Sequence, residues 1–346
     1  NRKVSGKDIL AAYILGFEAA VKIGHSIIPG HHDKGWHPTG TLGTIGAAVA
    51  SGKLLKLGID EMNYAIGIAV SQASGVMGNL GSMTKPFHAG KGASNGVIAA
   101  LLSSKGFTAN KDILEEERGG FCEVFSQNGK YNLNTIVNNL GDPFEIVSSG
   151  VAIKNYPSCF CTHTAIDSIL YLIKKHKIVS DNIQKISCTM HPRRLHDVNR
   201  PTVVNSLEAK FSVQYCIAIA ALEKKVTLEH FNDSQFPLNG STKEMMKRVE
   251  VKGSIELGAN SDKEEDKVGS KITIKLFNGE KYSYEVKKVS FADPSLPLKE
   301  DINLINKYTS CCRSKHINEE TIMKSIDLID KMEALKNINE LTNLYA

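Results

Sequence analysis

No apolar run in the chain approaches a bilayer span: stretches such as "YCIAIAAL" fall far short of the roughly 20 residues a membrane helix needs. Neither a transmembrane segment nor a membrane partner is expected. Aromatic residues are sparse, at 7% with a single Trp, and the lysines are scattered, so the excess of 42 Lys and Arg over 37 Asp and Glu forms no basic tract. That argues against a nucleic-acid partner and suits a small anionic substrate. The seven cysteines are odd in number and include the neighbours Cys311 and Cys312 and the close pair Cys159 and Cys161, which is no disulfide framework. A reduced, cytoplasmic setting is expected. Also lacking are a Walker A loop, a strand-borne G-x-G-x-x-G, a G-x-S-x-G elbow and a cysteine set spaced for an iron–sulfur cluster. Acid/base chemistry without a cofactor or metal is what these absences leave.

What is present fits two domains, since 346 residues exceed the size of most single cores. From residue 7 to 105 the chain reads as helices separated by glycine-marked loops, with "KDILAAYILGFEAAVKIGHSI" at helical apolar spacing and Asp60 as an N-cap of "IDEMNYAIGIAVSQASG". Small residues on these helices imply close packing. Past residue 150 the pattern mixes: "DNIQKISCTMH", "KRVEVKGSIEL" and "SKITIKLFNGEKYSYEVKKVS" alternate as strands, the last with an Asn-Gly hairpin signal, around two helical stretches. "ANSDKEEDKVGSK" reads as a solvated loop, and "DPSLPL" breaks the pattern before the closing helices. The expected fold is mainly α with a smaller α+β domain: a helical domain over 1–151, an α+β domain over 152–293, and helices over 294–346 returning to the first. No initiator Met opens the chain and a helical period is running by Ile9, so it is expected to begin partway through a longer protein.

Four stretches can carry chemistry. In "HHDKGWHPTGTLGTIGAAVA", His37 precedes Pro38 and a Thr-Gly-Thr turn whose free N–H groups would attract an anion; a capped helix with a surface histidine explains it equally, and the three histidines fit no zinc spacing. In "GSMTKPFHAGKGASNGVIAALL", Lys85 and His88 stand at a helix start free of bulky side chains, beside Lys91. An ammonium there is a point charge for a carboxylate, although most lysines are only solvated. In "KNYPSCFCTHTAID", Thr162 or Thr164 can cap a helix from about Ala165 with His163 at its positive end, and Cys159 is a packed or site-lining thiol. In "HPRRLHDVNRP", Arg193 and Arg194 can hold carboxylates in bidentate fashion or simply end a polar strand.

Five segments in order, "GWHPTGTLGTIGAAVASGKLL", "AIGIAVSQASGVMGN", "MTKPFHAGKGASNGVIAALL", "NYPSCFCTH" and "NRPTVVNSLEAKFSVQY", resemble the motifs of the MmgE/PrpD family over nearly the whole chain. The resemblance implies a homodimeric, cofactor-independent enzyme, an all-helical domain with an α+β lid, and an active site in the cleft between them. His37 takes the family's H-P position, Lys85 the T-K-P lysine and His88 the histidine three residues on, while Lys154 and Cys159 fall in the segment that opens the lid. The cis-aconitate decarboxylase branch has a histidine at the position of Cys159 and a tyrosine at that of Asp197, which weighs against that activity here. An aspartate and a histidine of the family's site lie in an N-terminal part with no counterpart before Asn1.

The expected function is a hydro-lyase that dehydrates 2-methylcitrate or citrate, the dehydratase of propionate metabolism. The alternatives are an epimerase or decarboxylase on a related polycarboxylate such as iminodisuccinate or cis-aconitate, or a silent polycarboxylate-binding homologue. His37 and His88 are expected to move protons with Lys85 as anchor; Lys154, Cys159, His163, Arg193 and Arg194 are expected at the substrate.

Overall fold

A computed structural model describes residues 3–257, 267–289 and 301–345. The contacts divide the chain into two compact units, residues 1–151 with 317–346, and residues 152–316. The fold is mainly α with one small mixed sheet.

The first unit is helical. Its opening helix, Gly6–Ile27, starts at a reciprocal capping box: the Asp8 N–H donates to Ser5 Oγ at 3.2 Å, and the Ser5 N–H donates to the Asp8 carboxylate at 3.1 Å. Helix Pro38–Leu55 packs on it and against helices Ile59–Gln72 and Thr84–Ser103. Small residues set how closely these axes approach. A Cβ on Gly16 would stand 2.5 Å from the Gly46 carbonyl oxygen, and one on Gly46 would stand 2.7 Å from that of Gly16. The two backbones therefore touch directly, and a core of Ile23, Ile27, Leu42, Ile45, Val70, Phe121 and Phe125 fills the space beyond. Ile59–Gln72 is capped by Gly58, which leaves Asp60 in the first turn and not at the cap.

Helix Gly6–Ile27 is long and apolar enough, by length and composition, to cross a membrane, which the short apolar runs did not suggest. Within the unit it buries Glu18 and Lys22, and both find partners on the loop 138–145. Lys22 Nζ donates to the Asn138 carbonyl at 3.0 Å and pairs with Glu145, while Glu18 accepts the N–H groups of Gly141 and Glu145 at 2.9 and 2.6 Å. A core helix meets its buried polar groups in this way. The end of the chain closes the unit: helix Glu319–Asp330 returns to it, the Gly6 N–H donates to Leu335 O at 2.9 Å, and the Ile338 N–H donates to Val4 O at 2.8 Å.

The second unit holds strands β1 (Ile183–Met190), β2 (Val249–Gly253), β3 (Ser270–Leu276) and β4 (Lys281–Val286) in the order β2-β1-β3-β4. β1 pairs parallel with β2 and antiparallel with β3, aligning Ile186 with Val249 and with Ile274, and β3 and β4 form the expected hairpin. Alternation puts Ile186, Cys188 and Met190 of β1 and Ile272, Ile274 and Leu276 of β3 inside, and the register shift between Ile183 and Lys185 brings Ile183 in with them. Helix Val213–Glu223, buried from Val213 through Ala221, fills the centre; helix His163–His176 packs on β3 and β4, with Tyr171 stacked on Tyr284 at 3.8 Å between ring centroids.

The expected division gave all of 294–346 to the helical domain, whereas the contacts place helix Ile302–Arg313 in the second unit and only 317–346 in the first. The boundary at 293/294, most of "ANSDKEEDKVGSK" and all of "DPSLPL" lie outside the described residues.

Candidate functional site

His37 is the N-cap of helix Pro38–Leu55, and its backbone N–H donates to Gly75 O at 3.0 Å. The helix end is narrower than the open anion site expected of it, with the Thr39 N–H left to face outward. Pro38 has no N–H, and the N–H groups of Gly40 and Thr41 both donate to the His37 carbonyl. Thr39 to Thr41 are the first turn itself. The chemistry of this end lies in the His37 side chain, which meets His88 with the two Nδ1 atoms 3.0 Å apart.

His88 does not precede a helix but lies in the first turns of Thr84–Ser103, as Lys85 does, one turn before it. Gly75 passes over its ring at φ +122°, where a Cβ would stand 3.2 Å from His88 Cγ. The pair is buried, His37 at 8% exposure and His88 at 9%. Burial, then the charge of Lys85 and the neighbouring His88 and His32 rings, lower the His37 imidazole to about 4. Neutral imidazoles sharing one Nδ1–Nδ1 hydrogen bond must be opposite tautomers. The donor carries its proton on Nδ1 and offers a bare Nε2; the acceptor carries its proton on Nε2. The pair thus presents a base and an acid together: when the bare Nε2 takes up a proton and the other Nε2 gives one up, the shared proton crosses between the Nδ1 atoms and the roles exchange. His31, close in sequence, does something else: fully buried, it bonds Phe125 O at 3.0 Å through Nδ1 and Thr41 Oγ1 at 2.8 Å through Nε2 and so supports the helix start.

The remaining expected residues fall in the second unit. Helix His163–His176 begins at His163, after a short 3₁₀ turn over Phe160–Thr162, two residues earlier than its sequence suggested. Thr162 is its N-cap residue as expected, but neither threonine side chain makes a capping hydrogen bond: Thr162 Oγ1 donates to Cys159 O at 2.7 Å and Thr164 Oγ1 to Val268 O at 2.7 Å. His163 is wholly buried beneath the edge of Tyr156 and neither ring nitrogen reaches a hydrogen-bond partner, although the Ser158 and Tyr156 carbonyls lie nearby. Burial and the charge of Lys154 lower it to about 4.

Cys159 is held below the ordinary thiol range by a hydrogen bond from Cys161 and by Lys154, against burial and Asp197. Cys161 is correspondingly pushed up. Arg193 and Arg194 are in the short helix Pro192–Val198 and not at a strand end, and the Arg194 and Asp197 charges reach the cysteine pair. Lys154 Nζ donates to Ser158 O at 3.2 Å. Lys307, which no sequence motif marks, donates to Lys154 O at 2.6 Å. Among the described residues no group of three or more His, Cys, Asp or Glu is placed to hold a metal ion.

A helical unit with a buried imidazole pair beside a lysine, on one chain with an α+β unit bearing lysines and a lowered thiol, defines a two-unit protein fitted for acid/base chemistry. The chain belongs to the MmgE/PrpD family: the model of the family's N-terminal domain matches residues 1–134 and that of its C-terminal domain residues 156–331. It is similar to cis-aconitate decarboxylase of Mus musculus, 27% identical over 354 residues, covering 99% of this chain and 69% of that protein. The same holds for cis-aconitate decarboxylase of Homo sapiens, at 26% with 99% and 69% covered, and of Aspergillus terreus, at 28% with 99% and 71% covered.

Proposed function

We propose that this protein is a lyase acting on cis-aconitate or a closely related tricarboxylate, with His37 and His88 as its proton-transfer pair. The observation that carries the reading is the buried Nδ1–Nδ1 contact of 3.0 Å, which supplies an acid and a base within one pair. Decarboxylation needs the acid: the bond to the departing carboxylate breaks, its electron pair moves onto the carbon skeleton, and an Nε2 proton quenches the carbanion as CO2 leaves. A positioned acid of this kind contributes about 10² to 10⁴-fold. Lys85 is proposed to anchor a substrate carboxylate, and Lys154 to contact one from its own unit.

The family membership and the decarboxylase relatives favour this reading over the hydro-lyase that the sequence placed first. Dehydration of 2-methylcitrate or citrate remains the second reading because Cys159 and Asp197 stand where the decarboxylase branch is expected to have histidine and tyrosine. The lowered Cys159 thiol can itself exchange a proton closer to neutrality than an ordinary cysteine. Cofactor independence and a homodimer belong to the same proposal, tested by activity after chelator treatment and by light scattering.

The deciding assay incubates the protein with cis-aconitate, 2-methylcitrate and citrate separately and resolves the products by mass. CO2 release from cis-aconitate supports the first reading, water loss from the hydroxy acids the second. No turnover of any of the three defeats both.

A further inference from the structure

Helix Ile302–Arg313 delivers Lys307 to Lys154 across 153 positions of chain, where its ammonium donates to the Lys154 carbonyl at 2.6 Å. The Lys154 ammonium in turn donates to the Ser158 carbonyl at 3.2 Å. Each contact uses one of three ammonium donors, and a carbonyl cancels no charge. Among the described residues neither ammonium has a carboxylate partner. The charges of both lysines also reach His163, fully buried at the positive end of a 14-residue helix with both ring nitrogens unpartnered. Two cations held near one another beside a buried imidazole leave a positive potential that no directly paired carboxylate answers among the described residues, only the nearby Cys159 and Cys311 thiols. A lysine serving only to tie the 154 loop would need no charge.

We propose that Lys307 is the second cationic arm of a carboxylate-binding subsite that Lys154 begins, taking a carboxylate of the polycarboxylate substrate. The inference rests on the polycarboxylate reading above. It adds a residue that the family motifs do not mark and draws the C-terminal helix of the second unit into substrate binding.

The test uses the whole chain and the saturated tricarboxylate tricarballylate, with affinity measured by titration calorimetry alongside cis-aconitate turnover. Lys307→Gln keeps a donor for the Lys154 carbonyl and removes only the charge, so a mere tie would survive it. The expected result is an affinity loss of about tenfold or more, the scale of one charge-assisted hydrogen bond, with most of it restored in Lys307→Arg. Thermal melting of each variant confirms that the fold persists, and should the glutamine form not fold, Lys307→Met takes its place as the uncharged form against the same Lys307→Arg rescue. Tricarballylate binding by Lys307→Gln within about twofold of wild type, or no binding by wild type, overturns the subsite. Wild-type protein that binds in a Lys307-dependent way and converts no cis-aconitate leaves the subsite standing and removes the proposed reaction.

Discussion

Lys22 and Glu145 stand 3.0 Å apart, Nζ to Oε1, with each side chain less than a tenth exposed. Burial alone would raise the Glu145 carboxyl, but hydrogen bonds from Ser149 and Lys22 reverse this and hold it below its ordinary value. Lys22→Met strands the carboxylate and should cost about 3–5 kcal/mol in urea unfolding, the scale for breaking a buried pair. A cost below about 1 kcal/mol would show that the loop relaxes into water. A lowered carboxyl stabilises the fold above its unfolded value and loses that contribution as pH falls through the folded one, so the cost in Lys22→Met should shrink in acid.

The histidine pair predicts equal dependence on both members. His37→Gln and His88→Asn each retain polar groups but exchange no proton near neutrality, and kcat/KM should fall by about 10² to 10⁴ in either. If one variant stays within a few-fold of wild type, its ring only positions the other.

Lys85→Met should lower kcat/KM by roughly 10², the effect of one charged contact in a water-poor site. The same change should raise the His37 pKa above about 4, because the Lys85 charge is among the causes holding it there. An unmoved imidazole resonance in an NMR titration would detach Lys85 from the pair.

His37 and His163 both lie at about 4, well below the roughly 6.5 of an unfolded histidine. The folded chain therefore binds fewer protons than the unfolded one between these values. Stability is complete above about 6.5 and falls as the pH drops toward about 4. His163→Phe should flatten that fall measurably, and an unchanged slope removes His163 as a cause.

Cys159 should alkylate with iodoacetamide faster than the other described cysteines in its unit whose thiols are raised above the ordinary value, Cys161, Cys188 and Cys216. Lys154→Met should slow that reaction near neutral pH. Labelling that begins at Cys188 would contradict the assignment.

Much of the fold was legible because periodicity is local: the four long helices of the first unit, the strand around Ile186, the alternation of Val249 and Val251 in "KRVEVKGSIEL", and the hairpin closing at Asn278 and Gly279 all follow from neighbouring residues. The family motifs singled out His37, Lys85 and His88, but only the fold shows that two of them share a hydrogen bond. The end of helix Pro38–Leu55 is less open than its sequence suggested, because nothing in the sequence says that His37 O takes the Gly40 N–H as well as that of Thr41. Lys307 was invisible for a related reason. Its meaning depends on a partner 153 residues away, and a lysine among 42 Lys and Arg carries no local signal.

The bonds from Gly6 to Leu335 and from Ile338 to Val4 also fix an order of events during synthesis. The ribosome must make all of residues 152–316 before the segment that seals the first unit emerges, a delay of roughly 10–30 s at about 5–20 residues per second. Through that interval the face of helix Gly6–Ile27 that Met332 and Leu335 will cover stands open to chaperones and to other nascent chains, while the second unit, continuous in sequence, can finish first.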